Sequence, residues 1–138
     1  PTAHASTHGS GGSDAITISQ SQVTNLTTDL SGKASLTVDF STQTDSYTLV
    51  LGDAGKAVEM GKATAQTLTV PLNSSVAFPI GTKIDVIQTG AGETTIAATG
   101  GVTVNSENGK LKVNAQWQSV SLVKRATDTW VLIGALKA

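Results

Sequence analysis

From Ser35 onward, apolar residues recur two apart, at Leu36/Val38/Phe40, Tyr47/Leu49/Leu51, Val58/Met60, Leu68/Val70, Val76/Phe78/Ile80, Ile84/Val86, Val102/Val104, Leu111/Val113, Val120/Leu122 and Trp130/Leu132. A period of two is that of a strand with one buried face. Turn-forming clusters separate these runs at Gly52–Gly55, Pro71–Asn73, Gly90–Gly92, Gly100–Gly101, Asn108–Gly109 and Thr127–Asp128. Short strands at such close intervals predict an all-β domain over 35–138, an antiparallel β-sandwich of jelly-roll-like form, with Gly90–Gly92 read as a hairpin turn. Four runs are apolar at successive positions: Leu49–Leu51, Val86–Ile87, Leu122–Val123 and Trp130–Ile133. A sheet with one solvated face alternates cleanly, so the second face is expected to be covered by the rim of the other sheet or by another protomer. Ile87 and Val123 are the candidate contact residues on that face.

Upstream the period changes. Ile16, Val23 and Leu30 are seven apart and Leu26 follows Val23 by three, which gives two heptads of a narrow apolar seam over 15–34. Ser19 or Ser21 fits an N-cap and Gly32 a C′ position, so a short helix is predicted over about 20–31. A helix of this length, rich in Ser and Thr, is marginal in water and persists only with its stripe buried. It either lies on its own domain or self-associates, and the narrow seam favours self-association as a coiled coil. The first segment, 1–14, reads PTAHASTHGSGGSD and is too polar and Gly/Ser-rich to bury an apolar surface of its own. It is read as an extended arm that docks on a partner, with His4, His8, Gly11, Gly12 and Asp14 as candidate docking residues.

Composition narrows the chemistry. The 138 residues carry 9 Lys+Arg against 10 Asp+Glu, a net charge of −1, and charged residues make up 14% where an ordinary domain has about 25%. Without a basic cluster to meet phosphates or anionic headgroups, neither a nucleic-acid partner nor a membrane surface is expected. The sequence has no cysteine, which removes disulfides, thiolate metal sites and a cysteine nucleophile. No secretory leader or membrane anchor is read, and Pro1 fits the second codon after a removed Met, so a complete small protein is expected.

The only histidines, His4 and His8, lie in the arm, so the β-domain offers no imidazole base for a serine triad. Asp39, Asp45, Asp53, Glu59, Asp85, Glu93, Glu107 and Asp128 are scattered, and nothing singles out a carboxylate pair for glycoside hydrolysis. Gly90-Ala91-Gly92-Glu93-Thr94-Thr95 lacks the closing Gly-Lys of a phosphate loop. The chain is expected to be no enzyme and to hold no cofactor. His4 and His8 with Asp14 form a metal site only if several chains meet on an axis, since one chain supplies too few ligands. Trp130 is assigned to the core. Trp117 shares the parity of Ser119 and Ser121, so it is expected to face outward, toward a neighbouring subunit or a sugar.

The arm HASTHGSGGSDAITI followed by SQVTNLTTDLSGKA resembles the N-terminal linker of tailed-bacteriophage fibre and appendage proteins, in which a His/Gly/Asp arm leads into a short trimeric coiled coil. The run YTLVLGDAGKAVEMGKATAQTLTVPLNSSVAFPIGTKIDVIQTGAGETTIAATGGVTVNS, with WQSVSLVKRATDTWVLIGAL, is similar to the small β-domain of phage head-fibre and tail-fibre proteins. The resemblance implies a homotrimer without enzymatic activity, located on the virion after synthesis in the host cytoplasm. The trimer interface would comprise Ile16, Val23, Leu26 and Leu30 with Ile87 and Val123. Two roles follow from it. One is a capsid decoration or head-fibre spike whose arms dock on the major capsid protein or another virion protein. The other is a tail-fibre or baseplate-associated adhesin that binds a host-surface glycan. The chain's economy of arm, oligomerising segment and compact cap favours the capsid surface over the tail.

Overall fold

In the computed structural model, described over residues 37–138, the alternating runs form two mixed sheets packed face to face. The strands are β1 (Phe40–Gln43), β2 (Tyr47–Thr48), β3 (Ala57–Met60), β4 (Gln66–Val70), β5 (Lys83–Gln88), β6 (Thr94–Ala98), β7 (Thr103–Ser106), β8 (Lys112–Val113), β9 (Ser119–Ala126), β10 (Thr129–Gly134) and β11 (Leu136–Lys137). Sheet A has the order β1-β3-β5-β9-β10-β7 and sheet B the order β11-β8-β6-β4-β2. Val38–Ala138 make one compact unit. The expected coiled coil and arm, with Ile16, Val23, Leu26, Leu30, His4, His8, Gly11, Gly12 and Asp14, lie outside the described residues.

The antiparallel, jelly-roll-like arrangement is corrected. From β1 to β8 each strand crosses to the opposite sheet, so β1, β3 and β5 stack in parallel in sheet A while β2, β4 and β6 stack in parallel in sheet B. Parallel neighbours need a crossover connection, and here the crossover of one sheet is the strand of the other. The first half is thus three turns of a flattened coil. The second half adds antiparallel strands: β9 beside β5, β10 beside β9, β8 beside β6 and β11 beside β8. β7 closes sheet A in parallel with β10. The β9–β10 connection, with Asp128 at φ 53, is the one hairpin among the described residues. Gly90–Gly92 is no hairpin turn but a corner between sheets. Asn108–Gly109, both at positive φ, likewise lie between β7 of sheet A and β8 of sheet B.

The inner faces form the core the alternation predicts. Val58, Met60, Leu68, Val70, Ile84, Val86, Val120, Leu122, Trp130 and Leu132 are all buried, with Leu49, Ile96 and Val113. Val38, Phe40 and Leu51 of the first two runs are exposed, and two further elements depart from expectation. Val76/Phe78/Ile80 form no strand: Phe78 is buried edge-on against Trp130, whereas Ile80 is exposed. β6 escapes the hydrophobic count because its buried positions are Thr94 and Ile96, of which only Ile96 is apolar.

The 71–82 segment is fastened by a buried lysine. Lys124, 2% exposed, extends from β9 into the interior, donates to Phe78 O at 2.7 Å and to Asn73 Oδ1, and lies 5.8 Å from the Trp130 ring centroid. Asn73 N donates in turn to Asp128 Oδ1 at 2.6 Å, tying the segment to the hairpin. A buried ammonium needs such partners, because desolvation otherwise outweighs the packing of its stem. Lys124→Met keeps the stem but leaves Phe78 O and Asn73 Oδ1 without their donor. It is expected to cost about 1–3 kcal/mol and to speed hydrogen exchange at Gly81, whose N–H bonds to Lys124 O. Unchanged exchange there would show that the segment holds without the lysine.

Candidate functional site

The sheet connections build a wall of stacked corners at one end of the sandwich. Gly61 N donates to Gln43 O at 2.8 Å, Gly90 N to Met60 O at 2.9 Å and Gly92 N to Lys62 O at 3.0 Å, so the corner after β5 sits on the corner after β3, which sits on the end of β1. Beneath the wall, Gln66 Nε2 donates to Thr94 Oγ1 at 3.1 Å and Thr94 N to Gln88 Oε1 at 3.0 Å. These buried amides satisfy polar groups that the turning backbone would otherwise orphan. The last layer is the β8–β9 loop: Trp117 N donates to Gln88 O at 2.7 Å and Gln116 Nε2 to Thr89 O at 2.9 Å. Trp117 crowns the wall, 73% exposed and at φ 65. Its outward direction, expected from strand parity, is realised on a loop.

Apolar side chains gather at the opposite end of the first coil. Val38 precedes β1, Phe40 begins it, and Val50 and Leu51 lie where the chain leaves β2 to return to the start of β3. Because β1 and β3 run parallel, all four belong to the same end, and they are 48–61% exposed. Beneath Val50 the carboxylate of Asp53, 2% exposed, accepts from Tyr47 Oη at 3.0 Å and from Val50 N at 2.9 Å. Burial, and then the Asp53 carboxylate, push the Tyr47 phenol above its ordinary pKa. The pair fixes the corner that carries Val50 and Leu51.

The outer face of sheet A holds the two predicted contact residues. Register aligns Thr42, Glu59, Ile87 and Ser119 in one row, Phe40, Ala57, Asp85, Ser121 and Ile133 in the next, and Lys83, Val123, Val131 and Asn105 in a third. Ile87 and Val123 are half-buried on this face but two rows apart, and Val123 neighbours Val131 rather than Ile87. Ile133, 58% exposed, adds an apolar side chain near the β7 side. An open trough of about 430 Å³ lies there, lined by Ser106, Val131, Leu132, Ile133 and Leu136 among others. The exposure of Phe40 and Ile133 was not singled out in the sequence, because their strand order was not legible from it.

Comparison of the chain with family models, curated proteins and solved structures finds no match. Among the described residues, no group of three or more His, Asp or Glu side chains converges to hold a metal ion. The carboxylates instead bond to lysines, hydroxyls and backbone amides, as the Asp45–Lys62 pair at 2.7 Å and the Thr42–Glu59 bond at 2.6 Å illustrate.

Glu93, on the corner before β6, meets Lys137 of β11 and Lys112 of β8, each at 3.2 Å. The hydrogen bond from Lys137, then that from Lys112, holds its pKa below the ordinary value. A lowered folded-state pKa contributes stability above the unfolded value of about 4.3, and the contribution is lost as pH falls through the folded value. Acidification below about pH 4 is therefore expected to loosen β11 from the corner. Faster amide exchange in β11 at acid pH, absent from the pH dependence of Glu93→Gln, would verify the link; identical profiles would refute it.

Proposed function

We propose that this chain is a non-enzymatic, homotrimeric structural protein of a tailed-bacteriophage virion, a capsid decoration or head-fibre spike anchored by its 1–14 arm. The observation that carries the self-association is the exposed apolar cluster of Val38, Phe40, Val50 and Leu51, at the end where the chain enters the described domain from the heptad-bearing segment. Four large apolar side chains on one end of a weakly charged domain favour burial against a partner surface. Ile87, Val123, Val131 and Ile133, distributed over the outer face of sheet A, would supply a second contact. Three-fold assembly rests on the resemblance of the arm and seam to phage appendage linkers. Three arms per trimer would give firm attachment from weak individual contacts, which suits a shell with many symmetric sites.

Light scattering of the full chain should return about three times the 14.0 kDa chain mass. Leu26→Asp, with Phe40→Asp in the same chain, should dissociate the assembly while leaving the β-domain folded. A monomeric parent protein at micromolar concentration would defeat the reading. Placement is tested on virions: a copy number in proportion to the major shell protein supports capsid decoration, and a few copies at one vertex support the adhesin role.

A further inference from the structure

We infer that Trp117 and the amides of its turn form a carbohydrate-binding site, a platform on which a pyranose ring stacks. The inference stands apart from the virion reading and would hold for a monomer or a trimer.

Two observations converge. Trp117 is the most exposed of the large apolar side chains, and the ring–ring and cation–ring contacts among the described residues belong to Trp130. It holds φ 65, a left-handed conformation that a bulky residue adopts only when its surroundings enforce it. The enforcement is visible: Trp117 N is tied to Gln88 O, Gln116 Nε2 to Thr89 O and Gln88 N to Gln118 O at 3.1 Å. Packing does not account for an exposed ring displayed at such a cost; presentation to a ligand does.

The chemistry around the ring selects the ligand class. The turn reads Asn114-Ala115-Gln116-Trp117-Gln118, amide-rich and without a charge. Recognition of a nucleic acid would require cations for its phosphates, and the turn has none. A protein partner would extend an apolar patch around the indole, yet Val38, Phe40, Val50 and Leu51 sit at the other end of the coil. A pyranose presents one apolar C–H face, suited to an indole, and a rim of hydroxyls, suited to side-chain amides that both donate and accept.

The test uses the full chain and a panel of neutral probes: the methyl pyranosides of glucose, galactose, mannose and N-acetylglucosamine, and their trisaccharides. Tryptophan emission and saturation-transfer NMR are read together, with Trp130 buried and Trp117 supplying the solvent-exposed signal. At least one probe is expected to saturate in the millimolar range, and Trp117→Ala should weaken it tenfold or more. Trp117→Gly should lose binding equally while melting no lower than the parent, because glycine adopts positive φ without strain. An inert panel, equal binding by Trp117→Ala, or a marked fall in the melting temperature of Trp117→Gly would each overturn the proposal. So would a shift of Trp117 emission on dilution of the sugar-free protein, which would mean that a second copy covers the ring.

Discussion

Trp130→Ala is expected to be the most damaging single substitution in the domain, lowering stability by about 3–5 kcal/mol and the melting temperature by on the order of 20 °C. Trp130 is 1% exposed near the start of β10, and its side chain holds together two otherwise unrelated pieces of the fold. Phe78 packs edge-on against it with ring centroids 5.5 Å apart, and the Lys124 ammonium stands over its face. Truncation would leave a cavity the two sheets cannot close and a buried ammonium with one partner fewer. For a domain whose net stability is about 5–15 kcal/mol, that approaches unfolding. Thermal and urea denaturation followed by near-ultraviolet dichroism would measure it. A loss of only a few degrees would mean that the interior relaxes around the cavity and that the core is not organised about this ring.

The second large effect is expected from one added methyl group. A Cβ on Gly92 would lie 1.9 Å from Thr64 O and 2.2 Å from Thr64 C, and one on Gly90 would lie 2.1 Å from Lys62 O. The obstructing atoms are backbone, so no rotamer change relieves the clash. The stacked corners would have to separate, breaking the Gly92 N to Lys62 O bond and disturbing the buried Gln66–Thr94–Gln88 set beneath. Gly92→Ala should therefore cost about 3 kcal/mol, the upper part of the range for overpacking. Gly52→Ala, with nothing within 4 Å of the new Cβ, is the matched control and should have little effect. If both variants melt alike, the corners are not in the close contact described. Because Trp117 rests on the same wall, Gly92→Ala should also change its emission.

The sequence by itself determined the local part of this structure. Alternation at Val58/Met60, Leu68/Val70, Ile84/Val86, Val120/Leu122 and Trp130/Leu132 assigned these residues to the buried face, because a period of two leaves a strand no other way to hide its apolar atoms. Parity pointed Trp117 outward, and doubled apolar runs marked Ile87 and Val123 as lying on a second face. What alternation cannot encode is which strand lies beside which, since parallel and antiparallel neighbours bury the same side chains. Alternation therefore lets Gly90–Gly92 read as a hairpin turn, whereas Gly90 and Gly92 serve a corner whose need for them arises from Thr64 and Lys62, outside their own turn and brought close only by the coil.

Other features were silent for the same reason. Lys124 reads as one more surface cation in a β-strand until Phe78 O and Asn73 Oδ1 are placed around its ammonium. Phe40, Val50 and Leu51 read as ordinary members of apolar runs, and their exposure follows from the position of β1 and β2 at the open ends of their sheets. Burial pattern is a property of each strand and survives in the sequence. Strand order, corner stacking and the left-handed turn that displays Trp117 depend on contacts between distant segments, and those exist only once the chain has folded.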